Sequence, residues 1–235
     1  MICVVCESAL SSNFIEREGI RFCESHASEP RCTFCPTPRS WMYDGFTYCR
    51  TCARTIVRSS VSARAIIKDV GSFMAKRRIM VPTPVTIRVV DSRWLASANM
   101  HYTPPALGIT QTAYYPHSAI PEEVEITVRK GLPDIICRAT IAHEYGHAFM
   151  SHQGLFGLPL DISEGFAQFA SYSYLRYGVA TKAARAECDS IKARSDIYGV
   201  GFRRVSTVLK QIGMQEFILR LQLNQAGPFN SRPTR

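Results

Sequence analysis

The first 52 residues contain four pairs of metal-binding residue types, and this spacing constrains the fold more than any other feature of the sequence. Each pair has two intervening residues, and the pairs are Cys3/Cys6, Cys23/His26, Cys32/Cys35 and Cys49/Cys52. Eight nitrogen and sulfur ligands at this spacing are the number that two tetrahedral zinc ions require. A polar segment this short has too little apolar surface for a core of its own, so we expect two structural zinc ions to hold it folded.

The order of the pairs leaves two arrangements of the zinc ligands open. Interleaved pairing, as in a RING, would exchange the middle pairs, whereas sequential pairing would complete one finger before the next, as in a LIM-type double finger. The short gap between His26 and Cys32 favours sequential pairing, because it suits a hinge between two finished fingers. We expect a hairpin in each finger, with REGIRFC (17–23) and DGFTYC (44–49) as the second strands.

The sequence also predicts the compartment. Its N-terminus has neither the basic nor the apolar region of an export signal, and no window approaches 18 consecutive apolar residues. We therefore expect a cytoplasmic protein with no membrane partner, whose cysteines are reduced or metal-bound rather than joined in a disulfide cluster. Cys137 and Cys188 lie outside the four pairs, and we interpret them as small buried apolar residues.

The chain is basic, with a formal net charge of +9 over 235 residues. A basic balance suits nucleic acid or an acidic protein partner, and the net charge alone does not choose between them. The longest run is Lys76-Arg77-Arg78, and the other positive residues are scattered. This distribution favours a solvated surface over a stripe that binds nucleic acid.

Apolar periodicity outlines the elements after the fingers. Residues 53–78 have helical spacing and predict a linker helix that packs on the next domain and ends before VPTP at 81–84. Alternating residues predict strands at 85–90 and 124–128, and the intervening residues 99–121 form a long loop or a short hairpin. Apolar residues between 202 and 221 predict two terminal helices that cover the core.

The segment IAHEYGHAF, residues 141–149, places two histidines four residues apart. We expect a helix with Asp134 as its N-cap that runs to about Ser151. His143 and His147 then project from one face, where both can bind one Zn²⁺. Glu144 lies about 100° round the helix, within reach of a metal-bound water but not a ligand itself. The remaining histidines are interpreted as surface or loop residues: His101, His117 and His152.

A third ligand is expected in LDISEGFAQFASYSYLRYG, residues 160–178. Asp161 or Ser163 can cap a second helix that carries Glu164 in its first turn, and the small Gly165 and Ala167 permit close helix packing. Two histidines and a glutamate with an open fourth position form a catalytic zinc pattern rather than a closed structural one. The alternative is an exposed Glu164 carboxylate favoured by the helix dipole.

Three segments resemble the peptidase domain of the plant DA-one family, whose members are LIM-domain, ubiquitin-regulated peptidases that restrict organ growth. They are GLPDIICRATIAHEYGHAF, EGFAQ and DIYGVGFRRVSTVLKQIGMQEFI, and the resemblance covers roughly residues 105–225. The preceding fingers fit the family's order of domains. The resemblance implies a gluzincin-type peptidase, with His143, His147 and Glu164 as zinc ligands and Glu144 as the catalytic base. It does not carry over the ubiquitin control or the substrate.

Peptide hydrolysis also needs a donor that stabilises the oxyanion. Tyr198, in the family-like IYGVGFRR segment, is our first candidate, and Tyr145 is the second. The alternative interpretation of Tyr198 is an aromatic residue packed in the core.

We therefore expect an α+β protein in four parts. These are a LIM-like double finger at 1–54, a linker helix at 55–80, a mainly helical zincin-like peptidase domain with a small sheet at 81–225, and a flexible tail at 226–235. One catalytic and two structural zinc ions would serve an endopeptidase whose fingers recognise protein substrates or partners. One alternative is a non-catalytic basic zinc-finger protein that binds nucleic acid or a protein. Another is a latent enzyme that needs modification or a partner.

Overall fold

The structure is a computed structural model that describes residues 1–10, 13–17, 20–38, 41–98, 106–115, 118 and 120–225. The flexible tail expected at 226–235 and the positions expected for His101 and His117 lie outside these residues. His152 was expected at a surface or in a loop, but it is the last residue of a helix and its Nε2 atom is buried. Within the described ranges, none of the helices combines the length and apolar character that a membrane span requires.

Two antiparallel hairpins form the framework of the fingers. β1 (Phe14–Arg17) pairs with β2 (Ile20–Cys23), and β3 (Trp41–Tyr43) pairs with β4 (Phe46–Tyr48). The second strands are those predicted from REGIRFC and DGFTYC. Asp44 and Gly45 both have positive φ, as a two-residue type I′ turn between β3 and β4 requires. A 3₁₀ turn (Glu24–His26) follows β2, and helix α1 (Arg50–Arg54) follows β4.

The single helix predicted over 53–78 is divided in two. α1 ends at Arg54 and α2 (Ser60–Ala75) begins after an extended segment. That segment is held by Val57, whose N–H donates to Leu132 O (2.8 Å) and whose carbonyl accepts from Gly131 N (2.9 Å). Local periodicity could not show this interruption, because the partners lie more than 70 residues further along the chain.

A three-stranded sheet lies beside the helices. β5 (Val85–Val90) pairs in parallel with the central β7 (Glu123–Arg129), and β6 (Gly108–Ala113) pairs antiparallel with the other edge of β7. The strands predicted at 85–90 and 124–128 are confirmed. Residues 99–121 were expected to form a long loop or a short hairpin, but the segment contains the single strand β6, whose antiparallel partner β7 lies outside it. A short helix, α3 (Ser92–Ala98), follows β5.

Four longer helices follow in the described part of the chain: α4 (Asp134–His152), α5 (Leu160–Tyr174), α6 (Lys182–Ala193) and α7 (Ile197–Gln225). A π-helical turn (Leu175–Val179) extends α5, and α6 was not anticipated. Non-helical backbone at Gly213 (φ 76°, ψ 170°) divides α7 into the two terminal helical segments that were expected. The mixture of helices with small sheets confirms the α+β expectation at that level.

The predicted N-caps of α4 and α5 are wrong. Pro133 and Pro159 occupy these positions, and neither helix has a side-chain capping bond. Both prolines combine the φ of their ring with an extended ψ, a conformation that suits the residue before a helix. Asp134 is consequently the first residue of α4, and Glu164 lies in the second turn of α5 rather than in the first.

One hydrophobic core connects the sheet, the helices and the second finger. α4 contributes buried residues such as Ile141 and Phe149, and the second finger contributes Phe46 and Tyr48 to the same cluster. The two unpaired cysteines are buried as expected: Cys137 and Cys188 are 0% and 2% exposed.

Candidate metal centre

Three predicted ligands converge on one point. The Nε2 atoms of His143 and His147 are 3.2 Å apart, and Glu164 Oε2 lies 3.1 Å and 3.5 Å from them, respectively. Nitrogen and oxygen ligands about 2.0–2.1 Å from a tetrahedral zinc ion are separated by roughly 3.4 Å. The spacing and the chemistry of the donor atoms therefore fit a zinc ion.

The position of Glu164 follows from the close crossing of α4 and α5. A Cβ atom on Gly146 would lie only 2.8 Å from the Cα of Ala167, so the two helices approach backbone to backbone. Gly146 lies immediately before His147, and Glu164 lies about one turn before Ala167. The crossing therefore brings the carboxylate of α5 against the two imidazoles of α4.

A second close helix contact places Tyr198 beside the candidate metal ligands. A Cβ atom on Gly165 would lie 2.4 Å from the carbonyl carbon of Gly201, so α5 and α7 also meet at their backbones. Tyr198 precedes Gly201 by about one turn, and its ring centroid is 6.0 Å from that of His143. The Arg194 guanidinium lies 4.6 Å from the centroid of the Tyr198 ring. The part of Tyr198 in catalysis stays a prediction.

Tyr145, the second candidate for an oxyanion donor, belongs to the core instead. Its hydroxyl accepts a hydrogen bond from Val81 N (3.2 Å), and its ring lies against Gly71 of α2. Tyr145 is two residues from each histidine, which is about 200° round the helix, and its side chain therefore points away from both.

Glu144 is buried and held by a residue of the sheet. Thr110 Oγ1 lies 2.8 Å from Glu144 Oε2 and 2.8 Å from the Glu144 backbone oxygen. Sequence reasoning did not single out Thr110, because the segment that contains it could be a loop or a hairpin. The β-branched residues Ile109, Thr110 and Thr112 were the available sign of a strand there.

A cavity of about 400 Å³ lies over these residues. Its described wall contains the three candidate ligands, Glu144 and Tyr198, together with residues of β6 and its surroundings: Ala98, Ala106, Gly108, Ile109, Thr110, Gln111 and Ser151. A volume of this size lies in the range of ordinary ligand-binding sites. The candidate base and the candidate ligands therefore share one accessible cleft.

The carboxylate of Glu164 and the imidazole of His147 each shift the pKa of the other toward its charged form. Burial raises the pKa of Glu164, but its hydrogen bonds with His143 and His147 outweigh that effect and hold the pKa well below its usual range. Burial lowers the pKa of His147, whereas the hydrogen bond with Glu164 and the charge of Glu144 raise it, and the net change is upward. A metal ion would replace protons at these imidazoles, because histidine binds metal in its neutral form.

The eight finger residues form two groups in sequential order. Within each group the ligand atoms lie within 4.8 Å of one another, and the groups are Cys3/Cys6/Cys23/His26 and Cys32/Cys35/Cys49/Cys52. Sulfur–sulfur distances include 3.8 Å for Cys6 and Cys23 and 3.6 Å for Cys35 and Cys49. Thiolates about 2.3 Å from a tetrahedral zinc ion are roughly 3.8 Å apart. The groups are compatible with zinc, and their cysteines are free rather than disulfide-bonded.

His26 has the orientation of a metal-binding histidine. Its Nδ1 atom lies 2.7 Å from Glu29 Oε1, while its Nε2 atom is buried and has no hydrogen-bond partner among the described residues. A metal-bound histidine commonly gives its other ring N–H to a carboxylate in this way. Hydrogen bonds with Ser8 lower the pKa of Cys6 in the same group to about 6, which favours the thiolate that binds metal.

Comparison with known proteins gives one family and one curated relative. The family model described as "DA1-like: Protein DA1" matches residues 112–194, a range that contains His143, Glu144, His147 and Glu164. Protein DA1 of Arabidopsis thaliana is 21% identical over an alignment of 274 residues, which covers 88% of this chain and 52% of that protein. The chain thus spans about half the length of the curated relative it matches. No solved structure matches this chain. These matches support a relationship to the DA1 family.

Proposed function

We propose that the protein is a zinc-dependent peptidase that hydrolyses peptide bonds of protein substrates. The observation that carries this proposal is the convergence of three zinc-type donor atoms, at 3.1–3.5 Å, beside a buried glutamate in one cleft. The DA1-like match supports it, because the matched range contains all four residues. In this proposal the second domain is a gluzincin-type peptidase domain, and the fingers form a LIM-like module.

His143, His147 and Glu164 would hold the ion. A zinc ion held there would supply Lewis-acid chemistry and would lower the pKa of a water bound to it. Glu144 adjoins the ligands in sequence and lines the same cleft, so its carboxylate is placed to accept a proton from the attacking water. The same carboxylate can then return the proton to the leaving amine. Tyr198 is the candidate hydrogen-bond donor to the oxyanion, because it lines the cleft beside His143.

The charges of the cleft favour an endopeptidase. Among the described residues that line it, the acidic side chains are Glu144 and Glu164, and neither arginine nor lysine is present. Both acidic groups already have roles in the proposed reaction. No described charge is then left in the wall to pair with a free amino or carboxyl terminus, as an exopeptidase would require. Bonds within a protein chain are therefore the expected substrate.

The two finger groups are proposed to hold structural zinc, and the module to bind protein substrates or partners. Reduced thiols at the spacing of metal ligands suit the cytoplasm, where we place the reaction. Nucleic acid is the less favoured partner, because the basic residues of the sequence form no long run.

The test is a comparison of cleavage by the wild-type chain and by Glu144→Gln. Each zinc-loaded protein is incubated with unfolded proteins, and newly formed internal termini are identified by mass spectrometry. We expect Glu144→Gln to retain zinc and to cleave at least about 100-fold more slowly, the usual contribution of a general base. His143→Ala/His147→Ala is the control that should lose both the metal of this site and the cleavage.

Two results would count against the proposal in different ways. Equal cleavage by wild type and Glu144→Gln would remove Glu144 from the reaction. A wild-type chain that holds zinc at all three sites but cleaves nothing would contradict the peptidase proposal. Addition of a cell extract in parallel tests the latent form, since cleavage that depends on the extract and on Glu144 would assign the activity to a modified or partnered enzyme.

A further inference from the structure

The hydroxyl of Thr110 restrains the side chain proposed as the base. Its Oγ1 atom lies 2.8 Å from Glu144 Oε2, although the two residues are separated by 34 positions in sequence. Glu144 is buried and Thr110 is half-buried, so this hydrogen bond is less exposed to water than one on the protein surface. A glutamate side chain has three rotatable bonds, and one fixed donor at its carboxylate selects among the rotamers that the helix permits.

We propose that Thr110 is a positioning residue for the peptidase reaction, and that its hydroxyl fixes the orientation of the Glu144 carboxylate. The inference rests on the proposed function, because the orientation of Glu144 affects a rate only if Glu144 takes part in the reaction. Thr110 itself need not touch the reacting atoms. Its contribution is to keep the carboxylate in one arrangement before the substrate arrives, which lowers the reorganisation that the reaction requires.

Strand β6 positions Thr110 next to Glu144. Thr110 pairs with Ile126 of the central strand β7, so the strand register fixes its position along the sheet. Gly108 lies two residues earlier and therefore points to the same face. A Cβ atom on Gly108 would lie 2.7 Å from Thr140 Cγ2 and 3.0 Å from Glu144 Cγ. The missing side chain at Gly108 thus lets β6 approach α4 closely enough for the hydroxyl to reach Glu144.

The hydroxyl has two acceptors within reach, and they imply different roles. Thr110 Oγ1 is also 2.8 Å from the backbone oxygen of Glu144, and a bond there would only join β6 to α4. The hydroxyl has a single proton, so it donates to one acceptor at a time. A bond to a carboxylate is charge-assisted and stronger than a bond to a carbonyl that already serves the helix. The positioning role follows from that preference, and the structural role is its competitor.

The test uses Thr110→Val, which removes the hydroxyl and keeps the shape, and Thr110→Ser, which keeps the hydroxyl. We expect Thr110→Val to lower kcat by about 10- to 100-fold, the usual effect of a residue that supports the reacting groups, with unchanged zinc content. KM should change by less than about twofold, because the substrate contacts are retained. Thr110→Ser should restore most of kcat. In the Glu144→Gln background, Thr110→Val should cause no further loss.

A purely structural role predicts other results. Unchanged kcat in Thr110→Val would overturn the inference, as would an equal loss of kcat with and without the Glu144 carboxylate. A second measurement does not depend on turnover. In zinc-loaded protein with ¹³C-labelled glutamate carboxyl groups, the signal that disappears in Glu144→Gln belongs to Glu144, and Thr110→Val should shift it whereas Thr110→Ser should not.

The two measurements separate this inference from the proposed function. Absence of cleavage by the wild-type chain would overturn the peptidase proposal, whatever the carboxyl signal does. Normal wild-type cleavage with a Glu144 signal that is the same in Thr110→Val would overturn the positioning role alone. A shifted signal together with a lowered kcat is the combination that the inference predicts.

Discussion

Folding reduces the contact of the Glu164 and Glu187 carboxyl groups with water, but it changes their pKa values in opposite directions. Glu164 keeps its negative charge because His143 and His147 lie against it and compensate for the lost hydration. At Glu187 on α6, the effect of burial predominates over that of neighbouring charge. Burial raises its pKa from the ordinary value of 4.5 to about 7, and the positive charge of Arg194 offsets only part of that rise.

The raised pKa of Glu187 predicts a pH-dependent stability. The folded chain retains a proton at this carboxyl between pH 4.5 and about 7, where the unfolded chain has released it. The stability associated with the group is therefore present at low pH and is lost as the pH rises through about 7. We expect Glu187→Gln to be more stable than wild type at pH 8 by about 1–3 kcal/mol, with a smaller difference at pH 5.5.

Urea unfolding at several pH values measures this effect. Asp189→Asn is the matched control on α6, because Asp189 is exposed and its charge has little influence on folding. A difference between Glu187→Gln and wild type that stays constant from pH 5.5 to pH 8 would show that the carboxyl does not titrate as described.

The helices of the metal centre are positioned by glycines at their crossing points. Gly146 of α4 lies against the backbone of Ala167 in α5, and Gly165 of α5 lies against Gly201 of α7. The first contact fixes the distance between the histidines and Glu164, and the second brings α7 with Tyr198 to the cleft. The geometry of the site is consequently a property of helix packing as well as of the ligating side chains.

Gly146→Ala tests the first of these contacts. Alanine favours a helix more than glycine does, yet its Cβ would lie 2.8 Å from the backbone of Ala167. We expect a loss of about 1–3 kcal/mol from overpacking, together with weaker zinc binding as Glu164 moves from the histidines. Gly71→Ala is the control, because its Cβ would meet Tyr145 at an ordinary 3.7 Å and should stabilise α2 by up to about 1 kcal/mol.

Chemical denaturation and competition with a zinc chelator give the two quantities. If Gly146→Ala and Gly71→Ala change stability in the same direction, the contact between α4 and α5 is not the constraint that we describe.

The elements that sequence reasoning recovered are those whose signals are local. The strands at 85–90 and 124–128 alternate within a few residues, and α4 carries its histidines four residues apart. The interruption at Val57 and the strand β6 depend on partners elsewhere in the chain, so periodicity could not decide them. The N-cap was wrong by one residue in α4 and by two to four residues in α5, because a proline, not the expected polar side chain, precedes each helix.

The same distinction applies to the candidate site. His143, Glu144 and His147 were recognisable from their spacing, and Glu164 from its chemistry and its small neighbours. Thr110 has no such distinguishing feature, because a threonine in a β-branched segment is ordinary until β6 is seen to approach α4.

At the scale of the whole molecule, the second finger is attached to the start of α4, the helix that carries the two candidate histidine ligands. Tyr48 is fully buried, and its hydroxyl donates to Gly131 O at 2.6 Å, two residues before the N-cap of α4. Arg129 at the end of β7 pairs with Asp44 (3.2 Å) and lies over the ring of Phe46. A metal in the second finger would therefore also stabilise the turn from which α4 begins.

Tyr48→Phe tests this connection. The change leaves the Gly131 carbonyl without the Tyr48 donor in a buried setting, and we expect a loss of about 1–3 kcal/mol in the free energy of unfolding. Tyr43→Phe on the same hairpin is the matched control and should cost less than about 0.5 kcal/mol. Equal stability of Tyr48→Phe and wild type in urea would indicate that the finger and α4 are not coupled through this bond.

The zinc content of the chain tests the metal centre most directly, because the proposed reaction depends on it. Native mass spectrometry can count the ions in the wild type, in Glu144→Gln and in His143→Ala/His147→Ala. We predict three zinc ions in the first two proteins and two in the third, with both finger groups still filled. Two ions in all three proteins would show that His143 and His147 hold no metal, and would contradict the account of this site.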